Sequence, residues 1–239
     1  MANVALITGS AARIGREIAF HLADKGWNLA LHYRSSSTDI SDLLAKLGTS
    51  FAGQYFDSFQ ADFEDIESTE KLIYNVIKQF GHLDLLINNA SVFEPSRMRK
   101  TSPDLLIRHM MVNYVSPFIL IRDYANYATN GQIINIADTR ITNNQGTYFA
   151  YSLSKKSLWD LTKMAALELA PHFRVNAIAP GAVLAPVGKD NGYLDKVAKI
   201  TPMKTPSEII SILKSIDYII ENNHLTGQLI FCDGGAHLL

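Results

Sequence analysis

The chain lacks the features that mark secreted and membrane-spanning proteins. It has a single cysteine, Cys232, so no disulfide can form within one chain and we expect a reducing compartment. No apolar run approaches the roughly 18 residues that cross a bilayer, and the first residues, MANV, do not begin a cationic and then apolar signal segment. The expected location is therefore the cytoplasm.

An excess of charge of either sign is also missing. The 22 lysines and arginines balance 23 acidic residues, so there is no broad basic field to hold nucleic acid and no cationic run for a membrane surface. The seven histidines are scattered without the spacing of metal ligands, and we expect no metal. A hydrophobic fraction of 47% with 19% charged residues is typical of a globular chain.

Short apolar segments alternate along the chain with longer segments of helical period. Such alternation indicates βαβ units and an α/β fold with a parallel sheet covered on both faces, here with about seven strands in a single domain spanning residues 1–239. The predicted strands are 4–7, 28–33, 55–61, 83–88, 131–137, 174–179 and 228–232. The predicted helices are 14–25, 38–47, 66–80, 113–127, 150–169 and 207–221, with Ile66, Ile73 and Ile77 of the third facing inward.

One segment, 180–206, differs in composition from the rest of the chain. It holds seven prolines and glycines, and only 193–200 could form a short helix. Long connections after the carboxyl end of a strand are where α/β proteins place substrate loops. We therefore predict a mobile substrate loop at about 181–206.

A glycine-bearing turn follows the first predicted strand. Residues 8–15 read TGSAARIG and lead into the first helix. Such a turn brings backbone amides and the positive end of a helix close to a pyrophosphate. Any tight strand-to-helix connection can use glycine, but the position after the first strand favours a dinucleotide site.

The end of the second predicted strand indicates which dinucleotide. An acidic residue there would bind the ribose 2′-hydroxyl of NADH and repel a 2′-phosphate. Residues 32–37 instead read HYRSSS, with no acid before Asp39. Arg34 and the serine hydroxyls suit a phosphate by charge and by donor number, which predicts NADPH as cofactor.

Tyr151 and Lys155 lie four positions apart on a predicted helix, one above the other. Tyrosine, with an ordinary pKa of about 10, is a poor acid–base catalyst at neutral pH. An ammonium about 4 Å away at an effective dielectric of about 20 would favour the phenolate by roughly 4 kcal/mol, or about three pKa units. Isolated pairs of this spacing are common on surfaces, but the position after a dinucleotide turn favours catalysis.

Together these motifs resemble those of the short-chain dehydrogenase/reductase family, and the resemblance covers essentially the whole chain. It implies a Rossmann-like doubly wound sheet and a homotetramer built through the helices at 113–127 and 150–169. It also implies that Asn113 joins the catalytic set, that Asp62 caps the adenine, and that 88–90 (NNA) lies beside the adenine ribose.

The chain departs from that family's pattern at two informative places. Arg13 stands where the middle glycine of the turn is expected. We predict an ordinary helical backbone there, with the guanidinium beside the pyrophosphate or the substrate, a solvated arginine being the alternative. Asp138 replaces the catalytic serine. Because an ionised carboxylate would raise the pKa of the phenol, we predict an acid kept partly protonated by burial.

These departures narrow the resemblance. Asp138, Arg13, the segment 32–35 and the segment 88–93 (NNASVF) together resemble pteridine reductases, a group that includes the bacterial dihydromonapterin reductases. The resemblance implies NADPH-dependent reduction of a dihydropterin such as dihydromonapterin or dihydrobiopterin, or of dihydrofolate. Phe93 would then stack on the flat ring, adding about 0.5–1.5 kcal/mol, the alternative being an ordinary packing residue.

The predicted site therefore has three groups of residues. The catalytic group is Asn113, Asp138, Tyr151 and Lys155. The cofactor group is Gly9, Arg13, Ile14, His32, Tyr33, Arg34, Ser35, Asp62, Asn88, Ala90, Ser91, Tyr151, Lys155, Pro180 and Gly181. The substrate group is Arg13, Ser91, Phe93, Asp138, Tyr151 and Leu184.

Two other functions remain open. A carbonyl or ketoacyl reductase of the same family would act on a ketone or an acyl-carrier substrate, and Asp138 in place of serine argues against it. A sensor that binds NADPH without turnover is the other possibility. The complete set of Asn113, Tyr151 and Lys155 argues against a sensor.

Overall fold

A twisted parallel sheet of seven strands forms the centre of the computed structural model, which describes residues 2–144, 146–185 and 192–239. The strand order is β3-β2-β1-β4-β5-β6-β7, and every pair is parallel. The strands are β1 Val4–Ile7, β2 Asn28–Tyr33, β3 Phe56–Gln60, β4 Leu85–Asn88, β5 Gly131–Ile136, β6 Phe173–Pro180 and β7 Leu229–Cys232. The doubly wound α/β fold predicted from the sequence is confirmed.

Helices cover both faces of this sheet. On one face α1, α2 and α8 bury a cluster that includes Ile18, Leu43 and Ile216, and on the other α3, α5 and α6 bury a second cluster. The described helices are α1 Arg13–Asp24, α2 Ser37–Ser50, α3 Ile66–Phe80, α4 Pro103–Met110, α5 Ser116–Tyr127, α6 Phe149–Glu168, α7 Gly192–Ala198 and α8 Ile209–Glu221. The central strands are buried on both faces, which explains why β1 and the first three residues of β4 are all apolar.

Three details differ from the sequence prediction. The helix α4 was not predicted, and the predicted helix at 113–127 begins instead with a π-helical turn, Met111–Val115, that runs into α5. Ile66 was predicted to face inward but is 47% exposed, because it is the first residue of α3, directly after the Asp65 cap. Ile73 of the same helix is fully buried, as predicted.

The strand order determines where a ligand can bind. The chain turns in opposite directions after β1 and β4, which leaves a crevice at the carboxyl edge of the sheet between these two strands. The turn after β1 and the segment after β4 meet there, since Thr8 N donates to Ile87 O and Ala90 N donates to Thr8 Oγ1. The carboxyl ends of β5 and β6 lie at the same edge.

Close backbone packing holds the turn after β1. A Cβ atom on Gly15 would overlap Gly9 O and would lie 2.6 Å from Asn89 Nδ2, and one on Gly9 would lie 2.9 Å from Ala90 Cα. No side chain fits at either position. The first turn of α1 therefore packs directly against the residues that begin the turn.

Gly15→Ala should destabilise the fold, because the methyl group must push the backbone of Gly9 aside. We expect a loss of about 1–3 kcal/mol in the free energy of unfolding, measured by chemical denaturation. The matched control is Gly48→Ala in α2, where an added Cβ meets nothing within 4 Å. That control should be neutral or more stable by up to about 1 kcal/mol. Equal stability of the two variants would contradict the packing described here.

Candidate active site

A cavity of about 700 Å³ opens at the carboxyl edge of the sheet. Its walls come from the turn after β1, the end of β2, the segments after β3, β4, β5 and β6, and the region of α7. The predicted site residues that line it are Gly9, Arg13, Ile14, His32, Arg34, Asp62, Ala90, Ser91, Phe93, Asp138, Tyr151, Lys155, Pro180, Gly181 and Leu184. Four predicted site residues do not line the cavity: Tyr33, Ser35, Asn88 and Asn113.

Arg13 begins α1 in a left-handed conformation, with φ at 55°. The prediction of an ordinary helical backbone at Arg13 is therefore wrong. The backbone follows the path that a glycine would take, and for a residue with a side chain this conformation costs about 1–2 kcal/mol. The guanidinium contributes a contact in return, since Nη1 and Nη2 each donate to Ala185 O at 3.2 Å. Arg13 thereby joins the turn to the segment that follows β6.

The His32 side chain holds the turn after β1 through a hydrogen bond to Gly9. It is 2% exposed and stacks on Phe63 with ring centroids 4.2 Å apart. Nδ1 accepts a hydrogen bond from Gly9 N at 3.0 Å, so Nε2 carries the hydrogen and donates to Ala61 O at 3.0 Å. Burial lowers the pKa of His32 to about 4, so the ring is neutral at physiological pH. Both ring nitrogens are used within the protein.

Strand alternation divides the residues at the end of β2. His32 and Arg34 face the cavity, whereas Tyr33, predicted to contact the cofactor, packs against the core on the α1–α2 side. Ser35 is exposed and does not line the cavity either. Arg34 is therefore the residue of this segment that brings a positive charge to the cavity. Asp62, which follows β3, also lines it.

The predicted cofactor residue Asn88 points into the protein. It is 3% exposed, and its Nδ2 donates to Asn135 Oδ1 at 2.8 Å. The neighbouring Asn89 lines the cavity and donates to Thr8 O at 2.8 Å and to Gly9 O at 3.2 Å. The choice of Asn88 over Asn89 is thus corrected. Alternation along β4 could have shown which of the two faces the ligand.

Tyr151 and Asp138 form a hydrogen-bonded pair at the inner end of the cavity. The Tyr151 hydroxyl donates to Asp138 Oδ2 at 2.7 Å, and Asp138 Oδ1 accepts from Arg140 N at 2.8 Å. Tyr151 is 5% exposed on the first turns of α6, and Asp138 follows β5. Lys155, one turn further along α6 and 2% exposed, donates from Nζ to Ile136 O at 2.7 Å.

Burial dominates the acid–base properties of these three groups. It raises the pKa of Asp138, and it lowers the pKa of Lys155 to about 8. Burial, and then the neighbouring Asp138 charge, raise the pKa of Tyr151 well above 10. The prediction of a lowered pKa for this phenol is therefore wrong, because burial and the Asp138 carboxyl group raise it. The prediction that burial favours protonated Asp138 agrees with the structure.

Asn113 positions the segment after β4, and its membership of the catalytic set stays a prediction. It is fully buried in the π-helical turn. Its Nδ2 donates to Val92 O and to Ser154 Oγ, both at 3.0 Å, and its Oδ1 accepts from Val92 N at 2.9 Å and Ser91 Oγ at 3.1 Å. Asn113 thus fixes the segment after β4 to α6.

Phe93 lies at the cavity with 39% of its surface exposed. Tyr148, which sequence reasoning missed, stacks on one face of it with centroids 4.2 Å apart and planes 7° apart. The edge of Phe93 also meets the Tyr151 ring at 4.7 Å. A flat ligand can therefore use only the other face or an edge of Phe93. The aromatic cluster links the ligand wall to the catalytic pair.

The segment after β6 closes the remaining side. Pro180, Gly181 and Leu184 line the cavity, as do residues of α7. A Cβ on Gly181 would lie 2.7 Å from Ser207 Oγ, so this glycine permits close approach of two chain segments. Residues 186–191 of the predicted substrate loop lie outside the described residues, and the mobility of that loop stays a prediction.

The residues present fit a nicotinamide dinucleotide that carries a 2′-phosphate. The cavity runs from the glycine turn and the N-terminus of α1 to Tyr151 and Lys155, and Arg34 supplies a positive charge at the end of β2. Among the described residues no cluster of three histidine, cysteine or acidic side chains could hold a metal ion. None of the described helices combines the length and apolar character that a membrane crossing needs.

Fold and site together define an α/β protein built for dinucleotide-dependent redox chemistry. A family model described as short chain dehydrogenase matches residues 3–193. The chain belongs to the short-chain dehydrogenase family.

Several proteins are similar over almost the whole length of this chain. Dihydromonapterin reductase of Shigella boydii is 27% identical over 240 residues, covering 98% of this chain and 96% of that protein. A Streptomyces violaceoruber protein named as ketoacyl reductase 2 of granaticin polyketide synthase is 24% identical over 248 residues, covering 100% and 97%. The crystal structure of FolM alternative dihydrofolate reductase 1 from Brucella canis, complexed with NADP, is 32% identical with a TM-score of 0.94, covering 99% and 94%.

Acidification should weaken the fold through His32. The unfolded chain binds a proton on this ring near pH 6.5 and the folded chain only near pH 4, so the free energy of unfolding falls as pH drops between these values. The loss is at most about 3 kcal/mol. In His32→Asn an amide oxygen can still accept from Gly9 N but does not titrate. The stability advantage of the wild type over this variant, measured by denaturant unfolding, should shrink from pH 7 to pH 4.5; a constant difference would refute the assignment.

Proposed function

We propose that this protein reduces a dihydropterin, such as dihydromonapterin or dihydrobiopterin, or dihydrofolate, to the tetrahydro form with NADPH. The observation that carries the proposal is the hydrogen bond from the Tyr151 hydroxyl to Asp138, a carboxyl group at the position where the family normally has serine. Reduction of a ring C=N bond requires a proton on nitrogen as well as a hydride on carbon. A buried carboxyl–phenol pair is suited to holding that proton.

NADP(H) is the cofactor. The Brucella canis neighbour is complexed with NADP, and a Brucella suis FolM protein with a TM-score of 0.90 is also in complex with NADP. In this chain the glycine turn would hold the pyrophosphate and Arg34 the 2′-phosphate. Lys155 uses one of its three N–H groups on Ile136 O, which leaves two for the hydroxyls of the nicotinamide ribose.

The chain's own residues supply the proton and the orientation. A bound reduced nicotinamide supplies the hydride. Tyr151 is neutral because its pKa is raised, so its hydroxyl donates a proton to the ring nitrogen next to the carbon that is reduced. Asp138, whose raised pKa favours the protonated form, returns a proton to the phenolic oxygen. Phe93 holds the flat ring, and Ser91 and Arg13 lie at the cavity wall where they can bind its polar edge.

A ketoacyl reductase is the second candidate, and the similarity to the Streptomyces violaceoruber protein favours it. Such a reaction needs a proton delivered to a carbonyl oxygen, which Tyr151 could also do. Ketone reduction of this kind would give the Asp138 carboxyl group no role. Substrate comparison separates the two proposals.

Purified protein should oxidise NADPH with dihydromonapterin or dihydrobiopterin at a kcat/KM about 100-fold or more above that with acetoacetyl thioesters or simple ketones. Absorbance of NADPH measures the rate. Tyr151→Phe should abolish reduction and spare NADPH binding, whereas Tyr148→Phe, which keeps the stack on Phe93, should retain activity within about three-fold. Faster turnover of the thioesters would establish the second candidate instead.

Asp138→Asn should lower kcat by about 100-fold, because the amide keeps the shape of the side chain but cannot supply a proton. In the wild type, kcat should fall as pH rises through the raised pKa of the pair. Removing the carboxyl group leaves buried Tyr151 as donor, so the residual activity should persist to higher pH. A pH–rate profile that is the same in both proteins would rule out Asp138 as the proton source.

The predictions of a homotetramer and of a cytoplasmic location remain part of this proposal. Met164 and Leu167 on α6 are 70% and 85% exposed, which supports a helix face that another copy would cover. Light scattering that gives the monomer mass of 26.5 kDa would contradict the tetramer.

A further inference from the structure

Four charged side chains form a chain of ion pairs that begins at Arg34 on the cavity wall and leads away from it. Arg34 Nη1 lies 3.3 Å from Glu64 Oε1, and Arg108 Nε lies 2.9 Å from the same oxygen. Arg108 Nη1 in turn lies 2.6 Å from Glu94 Oε1. One carboxylate oxygen of Glu64 is therefore shared between two guanidinium groups.

The backbone holds Glu64 in this position. It lies in the short connection between β3 and α3, where Glu64 N donates to Asp62 Oδ1 at 3.0 Å. Arg108 belongs to α4, whereas Arg34 directly follows β2. Arg34 and Arg108 thus approach Glu64 from different elements. The shared oxygen joins Arg34, which lines the cavity, to Arg108 of α4.

When a cofactor with a 2′-phosphate binds, Arg34 can interact with that phosphate as well as with Glu64. A phosphate carries about −1.5 to −2 charges and draws the guanidinium more strongly than a carboxylate does. Glu64 then becomes a negative charge close to a bound anion, with Asp62 as another acid facing the same place. Arg108 is the group that can retain the Glu64 carboxylate while Arg34 turns to the phosphate.

We propose that Glu64 and Arg108 adjust, in opposite directions, the preference of this protein for NADPH over NADH. Glu64 competes with the 2′-phosphate for Arg34, and Arg108 weakens that competition by holding the carboxylate. Neither residue needs to touch the cofactor, so both are specificity-determining residues that act through Arg34. The inference rests on the cofactor site described under the proposed function.

The first test compares two charge removals on the wild-type background. Glu64→Gln should lower the Kd for NADPH about three- to ten-fold and change the Kd for NADH less than two-fold, because NADH lacks the 2′-phosphate. The matched control is Glu70→Gln, which removes the same charge from another exposed pair, Glu70 with Arg122 at 3.0 Å. It should leave both Kd values within two-fold. Fluorescence titration of each dinucleotide needs no pterin and no turnover.

The second test removes the other member of the pair. Arg108→Met should raise the Kd for NADPH about three- to ten-fold in the wild type but less than two-fold in Glu64→Gln, where no carboxylate is left to compete. An equal loss in both backgrounds would mean that Arg108 acts on the phosphate directly, and the inference would be wrong.

The failure of this inference can be told apart from failure of the cofactor site. If the wild type binds NADPH no more tightly than NADH, the cofactor site at Arg34 is wrong and the inference falls with it. If the wild type prefers NADPH and Glu64→Gln leaves the ratio of the two Kd values unchanged, only the role of Glu64 is wrong.

Discussion

The hydrogen bond between the Tyr151 hydroxyl and Asp138 is the interaction on which the chemistry of this site depends. In water a carboxyl group and a phenol would titrate far apart, the first near pH 4 and the second near pH 10. Burial at the inner end of the cavity raises both pKa values, so that the pair tends to keep its proton. A serine at position 138 could form a hydrogen bond with Tyr151, but its hydroxyl does not release a proton between about pH 4 and pH 10.

Much of the remaining structure serves to hold this pair opposite a dinucleotide. Asn113 fixes the segment after β4 to α6, and α6 carries Tyr151 and Lys155. At the other end of the cavity the neutral His32 ring accepts from Gly9 N and so fixes the turn that faces the pyrophosphate. These contacts are buried and neutral, and their geometry therefore depends on packing more than on salt concentration.

The sequence predicts the fold and much of the site because both depend on local patterns. Apolar runs and helical periods located the seven strands, and α3 has the predicted bounds of 66–80. Contacts between distant segments were not predictable in the same way. The left-handed backbone of Arg13 belongs to a tertiary arrangement in which its guanidinium reaches Ala185 O, and the stack of Tyr148 on Phe93 joins residues that no short motif connects. The burial of Tyr151 beside Asp138 likewise depends on the tertiary structure, and it raises the pKa of the phenol where the sequence predicted a lower one.

The most direct test of this account is to observe the proton on Asp138. Infrared difference spectra of protein with ¹³C-labelled aspartate, compared between wild type and Asp138→Asn, report the carbonyl stretch of a protonated carboxyl group. A band from Asp138 that persists well above pH 4, the range in which an ordinary aspartate ionises, is the expected result. A carboxyl group that is already fully ionised at pH 5 would contradict the proposed role of the pair.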